Sequence, residues 1–417
     1  MGHDGAAGGV ITGPGRDSDD TDGKIPTARR EPTHPQRRGH PVFLALRELA
    51  FARTRFGLMG AVVGLIAVLM VLLSGLSSGL VVDGVSGLLR SPIQDVAFAE
   101  GTKTDSAFTR SEVTAAQRDA WAQREDVGGA ELLGTSIVNA KNDDGTPIDL
   151  TLFGVEMGGF VEPAAAEGRQ LAGEGEIILS SSARDEGIGL GDVVTLDRLG
   201  TQLHVVGFTA DQRTFGHVDI AFLPLRTWQE VHAGVTPGEQ PHPDAYDVGS
   251  VVALTGVDGG AIDLAAGDDA AGTSGRSIEA AFDSSPGYAA ELMTMQLIQG
   301  FLYAISALVV GAFFTLWTVQ RTRELAVMRA MGASTRYLLT DGLLQAAILL
   351  VTAVGVGVGV GLGLGALLLG TGMPFALQGG PIASGAVLLV GLGLAGAAIA
   401  TTRIATVDPV SALGENR

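Results

Sequence analysis

RTRELAVMRAMGAS, residues 321–334, is the stretch whose reading decides the fold. It lies between FLYAISALVVGAFFTLWTV (301–319) and LLQAAILLVTAVGVGVGVGLGLGALLLG (343–370). Each of these apolar runs is long enough to cross a bilayer, at about 20 residues per span. Arg321, Arg323, Arg329 and Arg336 crowd into the connection, and short basic connections stay on the inner side of the membrane. Working outward, two more apolar runs complete a set of four candidate spans at 57–82, 298–319, 343–369 and 382–402. The six glycines that alternate between 355 and 365 suggest a strand. Their place inside an uninterrupted apolar run decides for a helix, because lipid leaves no partner for an unpaired backbone.

The mean hydropathy of +0.32 reflects these four runs. The net charge of -18 is just as uneven. Between 91 and 290 acidic residues outnumber basic ones about three to one. The flanks of the spans are basic instead: Arg29, Arg30, Arg37, Arg38, Arg47, Arg53 and Arg55 before the first, the 321–336 group, and Arg403 after the fourth. This alternation predicts both termini and 321–340 inside, with 91–290 and 370–381 outside. The expected class is an α+β membrane protein, with a mixed α/β extracytoplasmic domain inserted between the first and second of four transmembrane helices. The expected organisation is a disordered tail (1–40), an amphipathic helix and first span (41–90), the outer domain (91–290), a second span (291–319), an inner segment (320–340), a third span (341–370), an outer loop (371–381), a fourth span (382–405) and a cytoplasmic tail (406–417). The faint calcium-loop echo SDDTDG (18–23) lacks the first aspartate and the closing glutamate of a real loop.

Within 91–290, EIILSSSARDEG (176–187) reads as a strand and a short helix, and GDVVTLDRLGTQLHVVGFTAD (191–211) as a hairpin turning at Leu199–Gly200. IAFLPLRTWQEVHAG (220–234) reads as a strand and a helix stopped at Gly234, VGSVVALTG (248–256) as a strand, TRSEVTAAQRDAWAQRE (109–125) as a helix, and 257–276 as a surface loop. Gly75 and Gly79 form a small-xxx-small pair suited to packing against another membrane helix.

The chain has no cysteine, which excludes disulfides, thiol catalysis and cysteine-ligated metals. It has no G-x-x-x-x-G-K-[ST] phosphate loop and no H-E-x-x-H, G-x-S-x-G or kinase signature. His204, His217, His232 and His242 have no metal-like spacing and read as surface or locally hydrogen-bonded groups. No metal, cofactor or nucleic-acid partner is expected. The candidate spans are nearly free of charge, which argues against a proton- or ion-coupled carrier.

RTRELAVMRAMGAS, the Gly-rich span after it and TVDPVSAL (406–413) resemble the C-terminal permease domain of the ABC permeases that include MacB, the lipoprotein-releasing permeases and FtsX. EGRQLAGEGEIILSSSARDEGIGLGDVVTL (167–196) is similar to that family's outer domain. ELAFARTRFGLMGAVVGLIAVLMVLLSGLSSGL (48–80), AFAEGTKTDSAFTRSEV (97–113) and FTADQRTFGHVDIAFLPLRTW (208–228) resemble the DevC and hemin-exporting HrtB permeases more closely. The resemblance implies a homodimeric permease in the cell membrane, contacting lipid and driven by a separate ABC ATPase subunit. It implies that 321–336 couples to that ATPase through Arg321, Arg323, Glu324, Leu325, Met328, Arg329 and Met331. A rigid helix joined directly to two spans suits that role, because it passes on a rigid-body shift. The implied function is efflux of an amphiphilic compound such as heme, with Phe98, Tyr288, Met293, Met295 and Tyr303 as candidates to contact it. An FtsX-like subunit that regulates a cell-wall hydrolase, a MacB-like drug or peptide exporter, and a membrane-anchored sensor are the alternatives.

Overall fold

The computed structural model describes residues 53–369, 371 and 373–402. The tail, the calcium-loop echo, the amphipathic segment up to 52 and TVDPVSAL lie outside the described residues. Helix α1 (Arg53–Leu89) carries the first apolar run and continues beyond it. Asp83 does not end the helix, and Val85 and Leu88 are buried in the core of the outer domain. Val85, at φ -142°, breaks the regular helix at this entry point.

The outer domain opens with β1 (Asp95–Ala99), α2 (Ala107–Arg110), β2 (Val113–Thr114), α3 (Ala115–Ala122), β3 (Val127–Lys141) and β4 (Pro147–Val155). The helix expected over 109–125 is therefore interrupted. Val113–Thr114 pairs with β11 (Val248–Gly249), and Thr114 then starts α3 through a capping box with Gln117, satisfying two otherwise unpaired donors. Next come β5 (Glu167–Gly168), β6 (Glu176–Leu179), a 3-10 turn at Ser181–Arg184, and the β7 (Val193–Leu196) to β8 (Gln202–Phe208) hairpin, with Gly200 at φ +69° as its turn required. After β9 (Thr214–Phe215) and β10 (Val218–Pro224), α4 (Leu225–His232) ends before Gly234. β12 (Val251–Gly256), α5 (Leu264–Ala271), β13 (Thr273–Ser277) and α6 (Ile278–Ala281) complete the domain. The segment expected as a loop at 257–276 thus holds α5, capped by Asp263, and most of an edge strand. Its short Gly- and Ala-rich composition hid both from a pattern reading.

The sheet runs β13-β1-β12-β3-β4-β10-β6-β8-β5. It is mostly antiparallel, with parallel pairs at β4–β10 and β6–β8. One face buries a run of aromatic rings in edge contact, Phe98–Phe108–Phe215–Phe153–Phe222, with centroids 5.1, 5.2, 5.5 and 5.7 Å apart. Trp228 fills the other face over Gly134 and Gly154, where any Cβ would collide with the indole. Its Nε1 donates to Ser136 Oγ at 3.0 Å.

The chain then returns through α7 (Tyr288–Gln320), α8 (Thr322–Ala330), α9 (Thr335–Leu368) and α10 (Gly379–Thr402). Among the described residues, helices α1, α7, α9 and α10 are the four long and apolar enough to cross a membrane. They meet through small residues, which let backbones approach where no hydrophobic drive exists between helices. A Cβ on Gly357 would strike the Gly64 carbonyl and come within 2.7 Å of Ala67 Cβ. One on Gly361 would lie 2.7 Å from Val71 Cβ, and one on Gly396 2.6 Å from the Ala307 carbonyl. Gly355, Gly359 and Gly363 face open space on the other side of α9. Gly75 and Gly79 do not receive another membrane helix. The outer connection between α9 and α10 lies on them, with Phe375 over Gly75 and Pro374 over Gly79, and Ala376 N donates to the Gly75 carbonyl at 3.0 Å.

Candidate functional site

The inner connection is a short helix set between two long ones. Arg321 ends α7, its N–H reaching the Trp317 and Thr318 carbonyls. Its guanidinium sits 5.3 Å from the Trp317 ring centroid and donates to Glu324 at 2.9 Å. The α8 helix then stops at Gly332, whose φ of +97° reverses the chain, a conformation that glycine adopts without steric cost. Ser334 caps α9 by accepting from the Tyr337 N–H. Arg329 Nη2 donates to Thr335 Oγ1 at 2.9 Å across this turn. No more than a few residues separate α8 from either long helix, and both junctions are hydrogen-bonded, so α8 moves with them.

The expected coupling residues divide by face. Glu324 is 67% exposed in its side chain, Arg323 is exposed, and Met331 is 76% exposed. Arg321, Met328 and Arg329 turn partly inward. Met328 lines a crevice with Phe314, Trp317, Leu338 and Gln345. The Leu325 side chain lies outside the described residues. Val327, 48% exposed, joins the outward face and was not singled out from sequence.

At the outer end the five candidate cargo residues are not one cluster. Phe98 is 2% exposed inside the domain core, in edge contact with Phe108. Tyr288 packs against Phe282 at the edge of that core. Met293 is 73% exposed on α7, above Leu297 and Phe301 on the same face. Met295 is half-buried. Tyr303 faces the bundle, and a Cβ on Gly385 of α10 would lie 2.9 Å from its hydroxyl.

A polar cavity of about 770 Å³ opens between α1, the outer domain and the α9–α10 connection. Asp83, Arg90, Asp149, Ser182, His217 and Asp219 line it, with Phe375 and Met373 as an apolar border. Burial pushes the Asp219 carboxyl above its ordinary value, against the hydrogen bond it accepts from Ser182. His217 sits at one edge, with Nδ1 2.9 Å from Asp83 Oδ2 and Nε2 2.9 Å from Glu291 Oε2. The hydrogen bond to Asp83 raises the imidazole above its ordinary range, and Glu291 adds to this. The sequence reading grouped His217 with surface or locally hydrogen-bonded histidines, whereas its partners lie 134 and 74 residues away in the chain. The signal available was that Asp83 and Glu291 both stand at the outer margin of an apolar run. Among the described residues no group of three or more His, Asp or Glu side chains is arranged to hold a metal ion.

Residues 297–409 match the FtsX-like permease C-terminal family. The chain is 24% identical over 375 residues to a putative hemin transport system permease protein HrtB of Staphylococcus haemolyticus, covering 89% of this chain and 99% of that one. It is 23% identical over 372 residues to the HrtB of Staphylococcus epidermidis, with the same coverage. Among solved structures, the extracellular domain of the ABC-type transporter YknZ is similar at 14% identity and a TM-score of 0.31, over 44% of this chain and 98% of that one. The periplasmic region of MacB from Actinobacillus actinomycetemcomitans is similar at 13% identity and a TM-score of 0.33, over 46% and 94%. The four apolar helices and the family match over 297–409 mark a plasma-membrane protein with an FtsX-like permease C-terminal region, and the chain is similar along most of its length to the HrtB proteins.

Proposed function

We propose that this permease is the membrane half of an exporter whose power comes from a separate ATPase subunit, and that its cargo is a flat amphiphile, hemin being the first to test. The observation that carries the reading is the full-length likeness to permeases named for hemin transport, which spans 99% of their length. Apolar spans, poor in the charges a hydrophilic cargo needs, support it. Tyr288, Met293, Met295 and Tyr303 lie on the outer half of α7 and supply ring and thioether surface to a planar molecule. Phe98, deep in the core, contributes only by shaping the domain.

The 321–336 segment is the seat of the ATPase in this proposal. Arg323, Glu324, Val327 and Met331 offer the contact face, while Arg321, Met328 and Arg329 hold the helix on the bundle. Two copies pair with two ATPase copies, and both termini lie inside.

Deleting the gene should make cells sensitive to hemin. Titration of the purified permease with hemin should shift the Soret band, and Tyr288→Ala or Met293→Ala should weaken that response. Unchanged hemin tolerance joined to new sensitivity to macrolides or antimicrobial peptides would assign a MacB-like cargo instead.

A further inference from the structure

The turn between β9 and β10 lies across the outer ends of the first two membrane helices. Its backbone belongs to α1: Gly216 N donates to the Gly84 carbonyl at 2.8 Å, Thr214 N to Ser86 Oγ at 2.8 Å, and Thr214 Oγ1 to the Asp83 carbonyl. Ile220 fills the space over Gly87, so this seat is packed as well as bonded. From this turn the His217 side chain reaches α7, where the Tyr288 ring also lies against Gly84 of α1. His217 adopts φ +64°, in the left-handed region that side chains seldom occupy. Such a conformation persists only where the surroundings hold it, and it aims the ring between the two helices.

The two ring contacts favour one protonation state. Both nitrogens lie 2.9 Å from a carboxylate oxygen. An ionised carboxylate only accepts, and a neutral imidazole has a single N–H to give. The imidazolium alone satisfies both. We propose that His217, as the imidazolium, is a clip that holds the outer end of α7 to the outer end of α1, and that losing its second proton releases α7 while the hairpin stays on α1.

The partners of the ring agree with this. Asp83 on α1 and Glu291 on α7 face it directly. Arg90, Asp149, Asp185, Glu186 and Asp219 line the adjoining cavity, so the surroundings are mainly acidic and favour the cation. The imidazole is raised above its ordinary 6.5, first through Asp83. The sign follows: a raised histidine leaves the clip fully closed below the ordinary value, and it opens as pH rises through the folded-state value. The freed element is the more loosely held of the two. The outer half of α7 exposes Met293, Leu297 and Phe301, whereas the end of α1 is buried in the domain. The clip stands independently of the cargo, and where the proposed function holds, it closes the gap through which an amphiphile would pass sideways.

The full chain in lipid nanodiscs tests this. It has no cysteine, so Ser77→Cys on α1 and Leu297→Cys on α7 carry the only two nitroxides, diluted with unlabelled chain against contacts between copies. Double electron–electron resonance should give a narrow distance at about pH 5.5 and a longer, broader one at about pH 8.5, on opposite sides of the ordinary histidine value. The shift should be on the order of 5 Å, the scale of helix displacements in switching proteins. His217→Gln should be broad at both pH values, and His217→Arg, a permanent cation with several donors, narrow at both. Glu291→Ala removes the α7 partner but keeps the Asp83 contact and the hairpin seat, so it should open α7 without the folding risk of altering the turn. A parent distance that ignores pH, a Glu291→Ala sample that matches the parent, or an arginine variant that stays broad at both pH values would each overturn the clip.

Discussion

The outer domain and the membrane bundle solve the same packing problem with opposite side chains. In the domain, rings of Phe98, Phe108, Phe153, Phe215 and Phe222 interlock, and the sheet is the frame that carries them. In the bundle, Gly357, Gly361 and Gly396 bring backbones together, and rings gather at the inner end, where Phe56 meets Phe313 and Trp317. The solvent explains the contrast. Water drives large apolar surface inward in proportion to its area. Lipid gives no such drive, so helices gain by close approach. The domain should therefore be sensitive to lost atoms and the bundle to added ones.

The strongest test removes a ring. Phe215→Ala empties the centre of the aromatic run and should cost about 3–5 kcal/mol, read as a lowered unfolding midpoint of the full chain. Gly357→Leu tests the opposite rule. It should cost about 1–3 kcal/mol by overpacking, seen as lost monodispersity and a lower melting temperature in detergent, while Gly355→Leu on the open side stays near the parent. Equal behaviour of the two glycine variants would break the comparison. A smaller change, Thr114→Ala, removes the side-chain half of a capping box and should lower stability by about 1 kcal/mol, an effect confined to the domain. The smallest concerns acid. Glu176 is held at a pKa of about 2, chiefly by the Arg169 hydrogen bond, so its contribution is present above its ordinary 4.5 and fades as pH falls toward about 2. Glu176→Gln should flatten that decline slightly in acid melting curves, because Arg169 is largely exposed and such pairs are weak.

The same contrast explains what was legible in the sequence. Membrane helices announce themselves, since an apolar run of sufficient length has few other readings; the span expected at 382–402 is the helix Gly379–Thr402. The β7–β8 hairpin and the strand and helix before Gly234 were equally plain, because local turn chemistry sets them. The strand β3 was not read at all. Its partners β4, β12 and β7 lie up to a hundred and more residues away, and nothing local marks it. The first span, expected within 41–90, takes in Asp83, but nothing local marks that this residue finds His217 from a different part of the chain. At the inner connection the faces of the side chains were not legible. Met328 and Met331 look alike in sequence, and only the bundle beneath α8 separates a crevice residue from an exposed one.

Helix α1 is 37 residues long, roughly 55 Å at about 1.5 Å per residue. It runs from the inner surface into the core of the outer domain, with its one irregular residue, Val85, at the domain entrance. Such a rod is a lever whose wrist lies at Val85. A tilt of about five degrees at its inner end sweeps the far end through several ångström, by the geometry of a helix this long. The outer domain thus hangs from the membrane on two helices, of which α1 is the more deeply set arm and carries the joint, and an angular change on one side of the bilayer arrives on the other as a displacement.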